Sequence, residues 1–382
     1  MNNISKHIQQ FSLNFLPMIF SLALMQIFIL PDLYASSTLD YVNFNFYLYS
    51  ALLYIHVFNT VSFNEQVLAL KGSSNKDKFR FDLSNFIFFF AVYCLYCVVM
   101  FFYFDTNWFI VVFLICLYPI DLAINLLRLI ERDKIIGLLL LVQSIVFFAL
   151  FKLKFFDIFL SYTISNAICF LFFLFFYEKS KFKLTKVTIS FSKVRSFFSM
   201  SIPTLNRYVD KLFVLVFFSL SFKTSLFPYI AVSGLVMLPI TVASKVVIRS
   251  IDFDYPLKKM IMLVSVAMPF SVLFIFFFNI AVVNFVYDLS GDVSYFLILG
   301  ISFFKSLNLI ELMFFSLYSN QMDFKSLPMV YSRVLSFILF LALVFGYFYK
   351  PLMSDWFLSV LCCYFLLSLV LHLLSINVKE KV

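Results

Sequence analysis

Charge is scarce in this sequence. Asp, Glu, Lys and Arg make up only 13% of the 382 residues, against about a quarter in a soluble domain. Such a chain cannot cover itself with enough polar surface to stay dissolved, which excludes an ordinary water-soluble globule. Glycine is scarcer still, with 6 residues. No GxxxxGK[ST] or other glycine-rich nucleotide loop is present, so ATP-driven chemistry has no support. No HExxH or GxSxG occurs either, and the common hydrolytic sites go with them.

What fills the sequence is apolar. Hydrophobic residues reach 63%, mean hydropathy is +1.00, and Phe alone occurs 58 times, a composition suited to lipid contact. Crossing a hydrocarbon core of roughly 30 Å takes about 20 apolar residues in a helix. Runs of that kind are predicted at 10–31, 43–62, 83–104, 108–128, 135–152, 156–177, 196–220, 225–246, 260–286, 294–316, 326–349 and 352–376. The fold class expected is an all-α, polytopic integral membrane protein with about twelve transmembrane helices. The first run is too long for a secretory signal core and reads as an uncleaved helix. The cysteines Cys94, Cys97, Cys116, Cys169, Cys362 and Cys363 all fall inside apolar runs. Cys94 and Cys97 spell CxxC, yet they sit mid-helix with no second pair, which points to small packing residues and to no metal site.

The net charge of +9 is unevenly placed. Alternating the loops across the twelve spans puts 22 Lys and Arg on one side and 4 on the other: Lys152, Lys154, Lys223 and Lys350. Basic loops mark the cytoplasmic side, so both termini are expected in the cytoplasm. The positive charge then faces anionic lipid headgroups, and no nucleic-acid partner is expected. The outer loops are all short, which leaves no external domain for a membrane enzyme.

The longest basic loop divides the chain into a lobe at 1–178, a linker at 179–195 and a lobe at 196–382, with six helices in each lobe. Traces of a repeat join them. Phe11-Ser12 with Pro17 returns as Phe198-Ser199 with Pro203, and Asp121 with Asp133 returns as Glu311 with Asp323. Two parallel six-helix repeats form a transporter layout.

Once the basic residues of the loops are assigned to their sides, Arg207, Lys211 and Lys305 remain within spans, and Asp121, Asp210 and Glu311 join them. A charge at mid-membrane costs roughly 2.5–3.5 kcal/mol to insert, so each needs a partner or a watery chamber. They form stripes. Asn206, Arg207, Asp210 and Lys211 share one face of the seventh span. Ser302, Lys305, Asn308 and Glu311 recur every third residue in the tenth, and Asp121, Asn125 and Arg128 line the fourth. One reading is a cationic cavity in which Arg207, Lys211 and Lys305 meet an anionic substrate, with Asp210, Glu311 and Asp121 as counter-ions or coupling groups. The other is a set of self-satisfied ion pairs, such as Arg207 with Asp210, that hold helices together. His56 and His372 each sit alone on an apolar helix, where a satisfied structural histidine is a simpler reading than a proton relay.

Three segments carry a family resemblance: Ser201-Ile202-Pro203 leading to Val209-Asp210-Lys211-Leu212-Phe213, Leu129-Ile130-Glu131-Arg132-Asp133-Lys134, and Ser319-Asn320-Gln321-Met322-Asp323-Phe324-Lys325. In these and in its twelve-span, two-lobe layout the chain resembles Wzx-type O-antigen/polysaccharide flippases. These belong to the polysaccharide biosynthesis export family, in the superfamily that includes multidrug exporters. The resemblance implies a transporter, not an enzyme, without cofactor, in the bacterial inner membrane. Its cargo would be an undecaprenyl-diphosphate-linked oligosaccharide, moved by alternating access for O-antigen or capsule synthesis. A polysaccharide polymerase and a chain-length regulator would be its pathway partners, alongside membrane lipids. The alternative from another class is an O-antigen polymerase or other multi-span glycosyl- or acyltransferase.

Overall fold

Inside hydrocarbon no water is available to backbone N–H and C=O groups, so an apolar run satisfies them by coiling into a helix. The computed structural model is predominantly helical over the residues it describes: 20–71, 80–130, 133–177, 181–185, 208–250, 257–289, 293–319 and 357–364, less 22, 105 and 155, with 334, 338, 366, 367 and 370. The protein is an all-α, polytopic membrane protein.

A π-helical turn, Leu24–Ile29, runs into α1 (Leu30–Ser36), which opens on Pro31. Then come α2 (Thr38–Lys71), α3 (Ser84–Phe104), α4 (Trp108–Leu129), α5 (Asp133–Lys152) and α6 (Ile158–Leu174). The described part of the second half holds α7 (Val209–Phe217), α8 (Leu220–Ser250), α9 (Leu257–Tyr287) and α10 (Tyr295–Ser319), with 357–364 helical beyond. The expected spans at 83–104, 108–128, 135–152, 260–286 and 294–316 fall within a few residues of α3, α4, α5, α9 and α10. Two differ in extent. The second span grows to the 34 residues of α2, and α7 ends at Phe217 with α8 starting at Leu220, so Lys223 sits in a helix rather than in an outer loop. Most of the spans expected at 10–31, 326–349 and 352–376 lies outside the described residues.

The helix α3 shows why lipid must be the solvent. One side buries Phe86, Tyr93, Cys97 and Met100, while the other exposes Ile87, Leu95, Val98, Val99 and Phe102, the last at 78%. A helix in water would be polar on that outer side. Proline is accommodated at Pro119 in α4 and Pro269 in α9, as membrane helices allow.

Residues 8–208 and 209–382 form two compact units, the second with residues 1–7. Within the first, Phe44 is fully buried against Phe113, Phe159 and Tyr162, with ring centroids 5.6, 5.7 and 5.8 Å away, and Tyr162 meets Phe147 edge-on at 4.8 Å. Lipid tails are as apolar as these rings. The knot therefore holds α2, α4, α5 and α6 through close packing rather than escape from water. Its counterpart in the second unit stacks Phe213 of α7 on Phe357 at 5.0 Å, with Phe218 edge-on at 5.7 Å.

One local feature has no periodic sequence signal. The segment before α3 forms a two-residue strand, β1 (Phe81–Asp82), parallel to β2 (Phe182–Lys183). Asp82 fastens the pair. Its N–H donates to Gln66 Oε1 at 2.9 Å, its Oδ1 accepts from the Ser84 N–H at 3.0 Å, and its Oδ2 accepts from the Thr185 hydroxyl. Ser84 Oγ and the Thr185 backbone exchange two more bonds, at 2.5 and 2.7 Å. Burial pushes the Asp82 carboxyl up, but the bonds from Thr185 and Ser84 outweigh it and hold the group below the usual carboxylate range. The start of the expected 179–195 linker is thus tied to the loop ahead of α3.

Candidate functional site: two polar centres

Among the described residues, each compact unit shows an ionisable centre between its apolar helices. In the first, α4 presents Asp121 and, one turn on, Asn125, whose amide donates to the Asp121 carboxylate at 2.9 Å. The helix α2 supplies His56 and Asn59, three residues apart and therefore on one face. The Asn59 amide donates to Asp121 Oδ2 at 2.6 Å, and His56 Nε2 lies 3.1 Å from Oδ1. The other imidazole nitrogen, Nδ1, is hydrogen-bonded to the hydroxyl of Tyr208, the residue just before α7. Tyr49, two turns before His56, flanks the same phenol with ring centroids 6.2 Å apart. The centre is open on one side: the His56 side chain is 35% exposed and that of Asp121 13%.

The second centre is closed. Asp210 near the start of α7 forms an ion pair with Lys305 at the middle of α10, and their side chains are 2% and 3% exposed. The ammonium lies 5.2 Å from the centre of the Phe304 ring, and Ser302, Ser306 and Asn308 are buried on the same helix. Lys211 is half-buried next to Asp210 in the chain, and the Asp210 carboxylate acts electrostatically on both lysines. Asp210 Oδ1 and Asn308 Oδ1 are buried without a hydrogen-bond partner among the described residues. Among the described residues, one carboxylate thus acts on two ammonium groups.

Of the six residues singled out in the sequence, the structure joins Asp210 with Lys305 and sets Lys211 beside Asp210. Asp121 lies in the first centre. Glu311 lies on α10, with its side chain outside the described residues, and Arg207 and His372 are outside them altogether. Sequence reasoning named His56 as a satisfied histidine without its partners, and passed over Asn59 and Tyr208. The available signal was the His56/Asn59 spacing on a span whose neighbour carries an intramembrane carboxylate. Among the described residues no three His, Cys, Asp or Glu side chains gather as a metal site would need. Cys94 and Cys97 are both free thiols.

No protein-family model matches the chain, and no curated protein does. Solved structures do. A MATE in the bent conformation aligns over 99% of this chain and 96% of its own, with a TM-score of 0.62 at 12% identity. A multidrug resistance MATE family transporter of the MOP superfamily aligns in its inward-facing conformation over 96% of each chain, with a TM-score of 0.60, and in its outward-facing conformation over 97% and 95%, with a TM-score of 0.57, both at 12% identity. At that identity the likeness establishes the fold alone.

Proposed function

We propose that this chain is a flippase that moves a lipid-linked oligosaccharide, carried on undecaprenyl diphosphate, from the cytoplasmic to the outer leaflet of the bacterial inner membrane. The observation that carries the reading is the fold. Its relatives in shape are transporters solved in both inward- and outward-facing states, and that pair of states is what alternating access requires. The lobes would be 1–178 and 196–382, joined by 179–195, with both termini cytoplasmic.

The second centre suits an anionic cargo. A diphosphate cannot cross hydrocarbon without replacing its hydration, and a lysine-rich centre can offer that replacement. In the conformation described, Lys305 is neutralised by Asp210. The cargo anion would take Lys305 over, leaving Asp210 to Lys211, with Arg207 as a third cation. Asp121 and Glu311 would serve as counter-ions or coupling groups. Binding then exchanges one buried pair for another rather than stranding a charge.

The test is the leaflet position of the lipid-linked repeat unit. Deleting the gene should leave single units on the cytoplasmic leaflet, and Arg207→Ala should abolish surface polysaccharide without reducing protein level, as should Lys305→Met with Asp210→Asn. Unpolymerised units reaching the outer leaflet would instead favour the polymerase reading. The carboxylate-centred site at Asp121 favours one further reading, export of organic cations. Restored drug resistance, with normal polysaccharide in the deletion strain, would select it.

A further inference from the structure

We propose that His56 and Asp121 together form a proton-binding site, and that Tyr208 passes its state to the chain entering α7. The alternating-access reading supplies only the role of this site in a cycle; the proton site and its relay stand on geometry alone.

An imidazole has two inequivalent nitrogens, and the partner of one fixes what the other can do. In His56 both are engaged, by different chemistry. Nε2 faces the Asp121 carboxylate at 3.1 Å, and Nδ1 faces the Tyr208 hydroxyl. An ionised carboxylate only accepts, so neutral His56 must carry its proton on Nε2. Nδ1 is then an acceptor, and the Tyr208 hydroxyl must donate to it. One proton taken from the aqueous phase reverses this. If it adds to the imidazole, Nδ1 becomes an N–H donor. If it adds to the carboxyl, the acid donates to Nε2 and the imidazole proton moves to Nδ1. By either route Nδ1 donates, and the Tyr208 hydroxyl has to turn over and find another acceptor.

The remaining groups around the pair are consistent with a site that reads one proton. From α4, Tyr118 lies in the field of Asp121. From α2 itself, Tyr49 flanks Tyr208. The titratable groups of α3, namely Tyr93, Cys94, Tyr96 and Cys97, gather around Tyr54, two residues from His56 and so on the opposite side of α2. Asp32 of α1 is paired with Lys152. Apart from Tyr208 itself, only Asp121 directly contacts the imidazole among these. The His56 side chain is 35% exposed, so the ring is not sealed within the protein. Tyr208 is placed to report the change, because the next residue begins α7 and the one after is Asp210.

The experiment uses the full chain in detergent or nanodiscs without any cargo, so its result is independent of what the protein carries. With three histidines in the sequence, histidine-selective isotope labelling gives a small NMR spectrum in which His56→Gln removes one signal. That signal should change as the pH is stepped from alkaline to acid, marking uptake of the proton. Hydrogen exchange at 209–217, corrected for the intrinsic pH effect, should change severalfold across the same range in the wild type. Tyr208→Phe keeps the ring and removes the hydroxyl. It should leave the His56 titration in place and abolish the response of 209–217. A His56 signal that does not titrate overturns the proton site. A response at 209–217 that survives in Tyr208→Phe, or is absent from the wild type, overturns the relay.

Discussion

The two ionisable centres differ in what holds their charge. In the 209–382 unit, Asp210 and Lys305 are ion-paired with each other, their side chains at 2% and 3% exposure. In the 8–208 unit, Asp121 is held by neutral amides and an imidazole, at 13% and 35% side-chain exposure for Asp121 and His56. A sealed pair is energetically rigid. Separating its members leaves an uncompensated charge in hydrocarbon unless another ion arrives. A half-open centre built on histidine can change its charge by one proton with no ion exchanged. On the readings proposed above, the two centres suit different tasks: one holds or releases an anion, the other counts protons.

The largest effect should come from breaking the sealed pair. Lys305→Ala removes the only described hydrogen-bond partner of the Asp210 carboxylate and should destabilise the protein by about 3–5 kcal/mol. The loss would be seen as reduced folded yield and a lowered melting temperature in detergent. Lys305→Met with Asp210→Asn removes both charges and should recover most of that stability while transport stays lost. If the double variant is as unstable as the single one, the ion pair is not what made Lys305 matter, and the contrast between the centres fails.

Next is the open centre. Asp121→Asn keeps an oxygen to accept from Asn59 and Asn125, so stability should fall by no more than about 1 kcal/mol. Transport should nonetheless be lost, because an amide cannot take up a proton. A stability loss matching that of Lys305→Ala would make Asp121 a structural anchor and erase the distinction.

How much of this was legible follows from the physics of each signal. The span lengths and the apolar outer surface of α3 were readable because the bilayer imposes about 20 apolar residues on every crossing. The stripes on α7 and α10 were readable because charges stand out in hydrocarbon. Their pairing was not. Asp210 and Lys305 are 95 positions apart, and helical spacing says which face a residue takes but not which helix it meets. His56 was read as a lone histidine for the same reason, since its partner lies on another helix. The strands β1 and β2 were invisible because two residues carry no period.

The smallest effect tests whether the first unit also anchors the connecting segment. Asp82 receives hydrogen bonds from Ser84 and Thr185, which hold its carboxyl below the ordinary range. A depressed value means the folded clasp prefers the ionised form. Its contribution is complete above the ordinary carboxylate value and fades as pH falls through the depressed one. Asp82→Asn should cost about 1 kcal/mol near neutrality and flatten that acid-side slope. Protease cleavage within 182–185 measures it directly: the wild type should resist at pH 7 and become cleavable on acidification, while Asp82→Asn is cut at both. Equal resistance of the two proteins at pH 7 would show that the apolar contact of Phe81 with Phe182 holds the strands without the carboxylate. In that case the connecting segment is anchored by packing, and no proton is counted there.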